Sequence, residues 1–173
     1  VKITEDGVFF KSPLDGKNLF LGPKESMKIQ ESLGADIIFA FDECTPPIAD
    51  INYIIKAIEK THKWAKVCLK VKKNKDQSLF GIIQGSKFRN LRKESAKFIS
   101  SLNFDGFGIG GDLGEDKKTT KDILDWTIPV LPENKPRHLL GIGKIENIIP
   151  IIKGGVDLFD CTVPTHYARR GIA

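Results

Sequence analysis

Cysteine is scarce in this sequence of 173 residues, which contains only Cys44, Cys68 and Cys161. An odd number of thiols without a Cys-x-x-Cys pair indicates neither a disulfide framework nor a closed zinc site, and we expect reduced thiols. Long apolar runs are also missing, since no stretch approaches the roughly 18 residues of a membrane span. No charged and then apolar signal sequence opens the chain, so we expect a cytoplasmic protein without membrane association.

Acidic residues are the minority among the charged side chains, and the formal net charge is +5. This balance is compatible with a polyanionic partner such as a nucleic acid, although a solvated lysine-rich surface has the same composition. With 40% hydrophobic residues, the chain is long enough for one packed core and too short for two. We therefore expect residues 1–173 to form a single domain.

Short apolar runs alternate with amphipathic stretches along the chain. The apolar runs predict buried strands; they are ADIIFAF (35–41), SLFGIIQG (78–85), FDGFGIGG (104–111), RHLLGIG (137–143) and VDLFDCTVP (156–164). Apolar residues three and four apart predict helices over residues 23–33, 48–70, 87–102, 117–131 and 144–155. This alternation favours a parallel sheet, either open and doubly wound or part of a barrel, whose ligand site lies at the carboxyl ends of the strands.

Polar residues and glycines lie at the carboxyl ends of the predicted strands. They are Asp42, Glu43 and Cys44 in FDEC, Gln84 in IIQG, Gly110, Gly111, Asp112 and Glu115 in GIGGDLGE, and Asp160 in FDC. Taken singly, a glycine after a strand also serves turn geometry, and a strand-terminal aspartate also caps a helix. Together, carboxylates, an amide and glycine-rich turns on one rim indicate a site for a small heteroaromatic molecule.

Six blocks of this sequence resemble the tRNA-guanine transglycosylases, in order and at similar spacing over nearly the whole chain. The blocks are DGVFFKSPLDG, GADIIFAFDECTP, LFGIIQG, GIGG, HLLGIG and GGVDLFDCTVPT. The resemblance implies a (β/α) TIM-type barrel that exchanges the wobble guanine of tRNA anticodons for a 7-deazaguanine base, in queuosine biosynthesis. We expect this chain to cover roughly the last five barrel strands.

The resemblance also implies what lies outside these residues. The family's N-terminal barrel segment, which carries its acid/base aspartate, has no counterpart here, and we expect an incomplete catalytic barrel. The zinc site of the family's C-terminal segment likewise has no ligands in this chain, for which we expect no cofactor. Because five strands cannot close an eight-stranded barrel, we expect a homodimer or pairing with a complementing barrel segment.

The family motifs assign roles to the rim residues. Asp160 corresponds to the nucleophile, which attacks ribose C1′ and forms a covalent ribosyl-aspartate that the incoming base then opens. Asp42 suits the N1–H and 2-amino donors of guanine, and the Gln84 amide and Gly111 N–H suit its O6. Leu140, where family members often carry methionine, and Gly141 are expected to cover one face of the base.

Further candidates surround these residues. Asp112 enters a GGDLGE turn that is one residue shorter than the family's, and we expect it beside the base pocket, attracting a cationic aminomethyl group. Glu115 and Cys44 are further base-binding candidates, Cys44 having rim packing as its alternative role. The expected contacts with the anticodon loop are Lys144, His166, Arg169 and Arg170, of which His166 stands where the family has arginine.

Three functions remain open on the sequence alone. The first is transglycosylation by a protein to which this chain contributes. The second is a non-catalytic tRNA-binding subunit or decayed paralogue, against which the presence of both FDEC and FDC argues. The third is a metabolic α/β-barrel enzyme acting on a small phosphorylated ligand.

Overall fold

The structure, a computed structural model, describes residues 1–114 and 116–172 and begins with a small antiparallel sheet. Its strands, in the order β1-β2-β3, are β1 (Lys2–Ile3), β2 (Val8–Lys11) and β3 (Asn18–Leu21). Our sequence analysis assigned no strand to this segment. The hairpin signal was nonetheless there, because VFFK and NLFL flank a short loop that contains Pro13 and Gly16.

A second sheet of five parallel strands forms the centre of the molecule. The strands are β4 (Ile37–Phe39), β5 (Ser78–Ile83), β6 (Gly106–Ile109), β7 (Arg137–Leu139) and β8 (Leu158–Phe159). They pair in chain order, and every neighbouring pair is parallel. The sheet is curled like half a barrel, which confirms the α/β TIM-type fold with five successive strands.

Helices connect these strands and cover the sheet. They are α1 (Pro23–Leu33), α2 (Ile51–Val71), α3 (Arg89–Ser100), α4 (Lys117–Thr127), α5 (Ile145–Lys153) and α6 (Val163–Arg169). The first five confirm the predicted helices within a few residues. No helix in the described part of the chain is both long and apolar enough to cross a membrane.

Local chemistry explains where two helices depart from the predicted bounds. We expected the second helix to begin at residue 48, but the Asp50 side chain accepts hydrogen bonds from the Asn52 and Tyr53 N–H groups, so the helix begins at Ile51. The fourth predicted helix ends early, at residue 127. A 3-10 turn over residues 128–130 follows, because Pro129 cannot donate the next helical hydrogen bond.

The strand predicted over residues 156–164 is mostly wrong. Only Leu158 and Phe159 pair with β7, and helix α6 begins at Val163. Pro164 lies in the first turn of that helix, where its missing N–H removes no hydrogen bond. The sequence TVPT is therefore a helix start, and it turns the chain sharply after Asp160.

The hydrophobic core lies between the parallel sheet and its helices. Ile99 of α3 and the buried Phe104 and Phe107 are each 0% exposed. Gly81 in β5 allows this packing, because a side chain there would lie 2.6 Å from both Ile99 and Phe104. The close approach holds α3 directly behind β5, the strand that precedes Gln84.

Candidate active site

The candidate site is the rim formed by the carboxyl ends of strands β4 to β8. Because the five strands are parallel and pair in chain order, the residues that follow them reach the same edge of the sheet. In strand order, these residues are Asp42, Gln84, Gly111, Leu140 with Gly141, and Asp160. The fold thus collects on one rim the nucleophile and base-binding residues predicted from the sequence.

Asp42 and Gln84 form a close pair on this rim. Gln84 Nε2 donates a 2.5 Å hydrogen bond to Asp42 Oδ2. Burial raises the pKa of Asp42 to about 6, and the hydrogen bond from Gln84 opposes that rise. Gln84 Oε1 is buried and has no hydrogen-bond partner among the described residues. The pair therefore presents a carboxylate and an amide, and the second N–H of Nε2 is available to an acceptor on a ligand.

Glu43, although adjacent to Asp42, is bound to helix α2 instead of facing the rim. Its buried carboxylate accepts a 2.5 Å hydrogen bond from the Tyr53 hydroxyl and lies 2.9 Å from Lys60 Nζ. Donation to Glu43 raises the pKa of Tyr53 to about 12. Glu43 therefore anchors the FDEC segment to α2 and leaves Asp42 as its rim carboxylate.

The glycines after β6 lie directly against this pair and against Leu140. Gly111 has a φ of 77°, and any side chain at this position would collide with the Gln84 amide. A side chain at Gly110 would lie 3.2 Å from Leu140 Cδ1 and 3.5 Å from Gln84 Nε2. These contacts bring four of the predicted base-binding positions to one place: Asp42, Gln84, Gly111 and Leu140.

Asp160 is bound by β7 and by the loop that follows it. Its Oδ1 lies 2.9 Å from His138 Nε2 and accepts a 3.2 Å hydrogen bond from the Gly141 N–H. Gly141, which we expected to cover the base, therefore contacts the carboxylate through its main chain. The Asp160 side chain is 57% exposed, and its Oδ2 accepts no hydrogen bond from the described residues. One oxygen is thus held in place while the other is free.

His138 is a site residue that our sequence analysis did not assign. Its side chain is 13% exposed and packs edge-on against Phe39, with ring centroids 5.2 Å apart. The signal was the alternation along β7: Leu139 is fully buried in the core, so His138 and Leu140 share the opposite face. A histidine two residues before a rim leucine therefore belongs to the site.

The secondary base-pocket candidates differ in their surroundings. Asp112 Oδ1 accepts a 3.0 Å hydrogen bond from the Gly114 N–H, and its Oδ2 lies 3.3 Å from Lys87 Nζ. Cys44 lies close to Asp42 and Gly111, and partial burial raises the pKa of its thiol. Glu115 lies outside the described residues. Base binding by these three residues stays a prediction.

The candidates for contacts with the anticodon loop lie on the segments that follow β7 and β8. Lys144 precedes α5, and His166, Arg169 and Arg170 lie on or just after α6; all four are exposed. Asp160 is followed closely in the sequence by two of these candidates, Arg169 and Arg170. In the part of the chain that the structure describes, its carboxylate bonds to His138 and Gly141 and forms no ion pair with either arginine.

Arg92 is a second residue that the sequence analysis missed. It is 0% exposed, and its guanidinium donates to four main-chain carbonyls in the loops that contain Gln84 and Gly111. The signal was its position in α3, where Arg92 shares the buried face with Ala96 and Ile99. An arginine on the buried face of a helix indicates a specific polar partner inside the protein.

The expectation that this chain binds no cofactor stays a prediction. Across residues 1–114 and 116–172, no three His, Cys, Asp or Glu side chains gather so that they could hold a metal ion.

Comparison with known proteins agrees with the resemblance. The family model for queuine tRNA-ribosyltransferase matches residues 1–173. A relative from Archaeoglobus fulgidus is 53% identical over 169 residues, covering 98% of this chain and 42% of the relative. The queuine tRNA-ribosyltransferases of Halothermothrix orenii and Bacillus licheniformis are 47% and 48% identical, again over 98% of this chain and over 46% and 45% of their own lengths. The chain spans less than half of these curated relatives, and it belongs to the queuine tRNA-ribosyltransferase family.

Proposed function

We propose that the protein carrying this chain exchanges guanine in a tRNA anticodon for a 7-deazaguanine base, a step of queuosine biosynthesis. The observation that carries this proposal is the joint presence of the Asp42–Gln84 pair and a half-exposed Asp160 on one rim of a TIM-type sheet. The names of the relatives support it, since they are queuine tRNA-ribosyltransferases.

The base is read by Asp42, Gln84 and Gly111. The ionised Asp42 accepts the N1–H and 2-amino donors of guanine, a fork that matches a carboxylate. Nε2 of Gln84, which donates one N–H to Asp42, donates its other N–H to the guanine O6. The Gly111 main chain approaches the base closely because no side chain fits there. Leu140 covers a face of the base from the adjacent strand.

The nucleophile is Asp160 Oδ2, the oxygen that accepts no hydrogen bond in the described structure. It forms a bond to ribose C1′ while the C1′–N9 bond breaks, and guanine leaves with the electron pair of that bond and takes up a proton. The incoming base then attacks C1′ through N9, loses its N9 proton and displaces the carboxylate. Two inversions at C1′ give overall retention.

His138 and Gly141 hold the other oxygen of Asp160 throughout this exchange. With two donors on Oδ1, the carboxylate plane is oriented before the ribose arrives, which lowers the entropic cost of the attack. This arrangement requires a proton on Nε2 of His138.

The tRNA is held by basic side chains on the segments that follow β7 and β8. Lys144, His166, Arg169 and Arg170 are exposed close in sequence to the residues that bind Asp160 or to Asp160 itself, and they contact phosphates or stack on bases of the anticodon loop. Asp112 selects an aminomethyl substituent of the incoming base. That cation has to displace Lys87, which pairs with Asp112 in the structure.

Exchange of labelled guanine into an anticodon stem-loop tests this function directly. We expect the purified protein, at its natural length, to incorporate label into the wild-type stem-loop and not into one with adenine at the wobble position. Tight stem-loop binding without incorporation would instead identify a non-catalytic tRNA-binding subunit. Incorporation without dependence on the wobble base would contradict the proposed substrate.

A further inference from the structure

Arg92 is a fully buried cation whose partners are all main-chain carbonyls. Nε donates a 2.7 Å hydrogen bond to the Ser86 carbonyl, and Nη2 donates one of 2.9 Å to the Asp112 carbonyl. Nη1 donates to the Gly110 carbonyl at 2.7 Å and to the Ile83 carbonyl at 3.3 Å. Within the described residues, no carboxylate forms an ion pair with its guanidinium. A buried charge is retained in a protein only when its hydrogen bonds are satisfied, and here four carbonyl dipoles do so.

The four carbonyls flank the two residues proposed to read guanine O6. Ile83, the last residue of β5, and Ser86 lie on either side of Gln84, while Gly110 and Asp112 lie on either side of Gly111, after β6. One rigid, planar group therefore spans both loops.

The loop after β5, which accepts a hydrogen bond from Arg92, contains a strained residue. Gly85 has a φ of 136°, and Ser86 has a φ of 48°, which is unfavourable for a residue with a side chain. The strained Ser86 supplies the carbonyl that accepts from Arg92 Nε. In addition, the main-chain N–H of Gln84 donates a 3.1 Å hydrogen bond to Ser95 Oγ, and Ser95 lies one turn after Arg92 in α3. Helix α3 thus binds this loop through two side chains.

We propose that Arg92 is a positioning residue for base recognition, an inference that rests on the function proposed above. It touches no substrate. It acts by holding the Gln84 and Gly111 loops at the spacing that guanine O6 requires. Lysine cannot replace it, because an ammonium group is a single point with three donors, whereas the guanidinium directs its donors along several fixed directions in one plane.

The test compares Arg92→Lys with Ile99→Val, a control variant on the same helix. Ile99→Val removes one methyl group from the buried core and leaves the side chains of both loops unchanged. Guanine affinity, measured by calorimetry on the protein at its natural length, should fall at least about tenfold in Arg92→Lys. It should change less than about twofold in Ile99→Val. Affinity for the anticodon stem-loop should be similar in both variants.

Amide hydrogen exchange without ligand tests the positioning itself. In Arg92→Lys, exchange should quicken at residues 83–86 and 110–114 more than in the rest of the protein. Ile99→Val should show no such selective change. The proposal would be overturned if amide exchange in the two loops were the same in Arg92→Lys as in Ile99→Val. It would also be overturned if Arg92→Lys lost no more guanine affinity than Ile99→Val.

Two further measurements keep the result decisive. If Arg92→Lys does not fold, NMR of the unaltered protein still tests the hydrogen bonds of Arg92. The Arg92 guanidinium protons should exchange slowly with solvent, and rapid exchange would refute the proposal. If the unaltered protein fails to bind guanine, the proposed function fails. The loop-exchange comparison then still decides whether Arg92 positions the two loops.

Discussion

Gln84 Nε2 lies 2.5 Å from Asp42 Oδ2, so the two residues proposed to read opposite parts of guanine are hydrogen-bonded to each other. The contact joins the ends of strands β4 and β5. It also directs the Gln84 amide, because a carboxylate accepts only from its nitrogen. The orientation of one base-reading residue therefore depends on the other.

Replacing Asp42 with alanine should weaken guanine binding by about 2–4 kcal/mol, because the base's N1–H and amino donors lose a charged acceptor and Gln84 loses its orientation. Calorimetry with guanine provides the measurement. Binding of the anticodon stem-loop should change far less. Unchanged guanine affinity in this variant would show that the pocket is assigned to the wrong residues.

Guanine binding should weaken at acid pH. Since burial raises the pKa of Asp42 to about 6, the carboxylate that accepts the base's donors is lost as the pH falls through that value. We expect the guanine dissociation constant to rise about tenfold for each pH unit below 6. Asp42→Asn should bind weakly at all pH values, with no such slope. A flat profile in the unaltered protein would contradict the assignment.

The same residue should lower stability at neutral pH. The folded protein holds the Asp42 proton more tightly than the unfolded chain does, so its contribution to stability is lost as the pH rises through about 6. Asp42→Asn should therefore raise the free energy of unfolding at pH 8 by up to about 3 kcal/mol. At pH 3.5 the two proteins should be nearly equal. Urea unfolding at both pH values measures the difference, and an equal effect at both would exclude this cause.

Asp160→Asn should bind tRNA normally and form no covalent RNA adduct. An amide is too poor a nucleophile to attack C1′, while its size and hydrogen bonds are similar to those of the carboxylate. The adduct is measured on a denaturing gel after incubation of the protein with tRNA and without free base. A normal adduct yield in the variant would remove Asp160 from the mechanism.

His138→Phe should slow exchange about tenfold or more and leave the stem-loop dissociation constant within about twofold, because it removes a donor to Asp160 and keeps the ring against Phe39. His138→Gln, whose amide retains a donor, should recover part of the loss. Single-turnover kinetics separates this effect from tRNA binding. Equal rates in the phenylalanine and glutamine variants would show that the hydrogen bond is unimportant.

Residues 1–173 expressed alone should self-associate or pack loosely. Strands β4 and β8 lie at the two ends of the five-stranded sheet, where unpaired backbone groups are open to another strand. Mass in solution and guanine incorporation, with and without an N-terminal barrel segment from a related enzyme, test this. A monodisperse monomer that exchanges guanine rapidly without an added segment would contradict it.

The sequence by itself was sufficient for the alternation of the five parallel strands with helices α1 to α5, and for the placement of several polar residues on one rim. These strands and helices were predicted from local apolar periodicity, and parallel strands necessarily bring their carboxyl ends to one edge. Asp42, Gln84, Gly111 and Asp160 became candidates because they lie at the carboxyl ends of predicted strands and within the family's motifs. The local pattern was misleading at TVPT, where a proline in the first turn of a helix resembles the end of a strand.

Only the tertiary structure decided which residues support that rim and what each atom does there. Arg92 and Asp112 are far from one another in sequence but meet because α3 packs behind β5 and β6. His138 binds Asp160, and Gly141 donates to the same oxygen, because β7 and β8 are neighbours in the sheet. A hydrogen bond between distant residues depends on distances and directions that local periodicity does not contain. The sequence therefore determined the chemical groups at the rim, and the packing of helices and strands determined which of their atoms accept hydrogen bonds within the described structure and which do not.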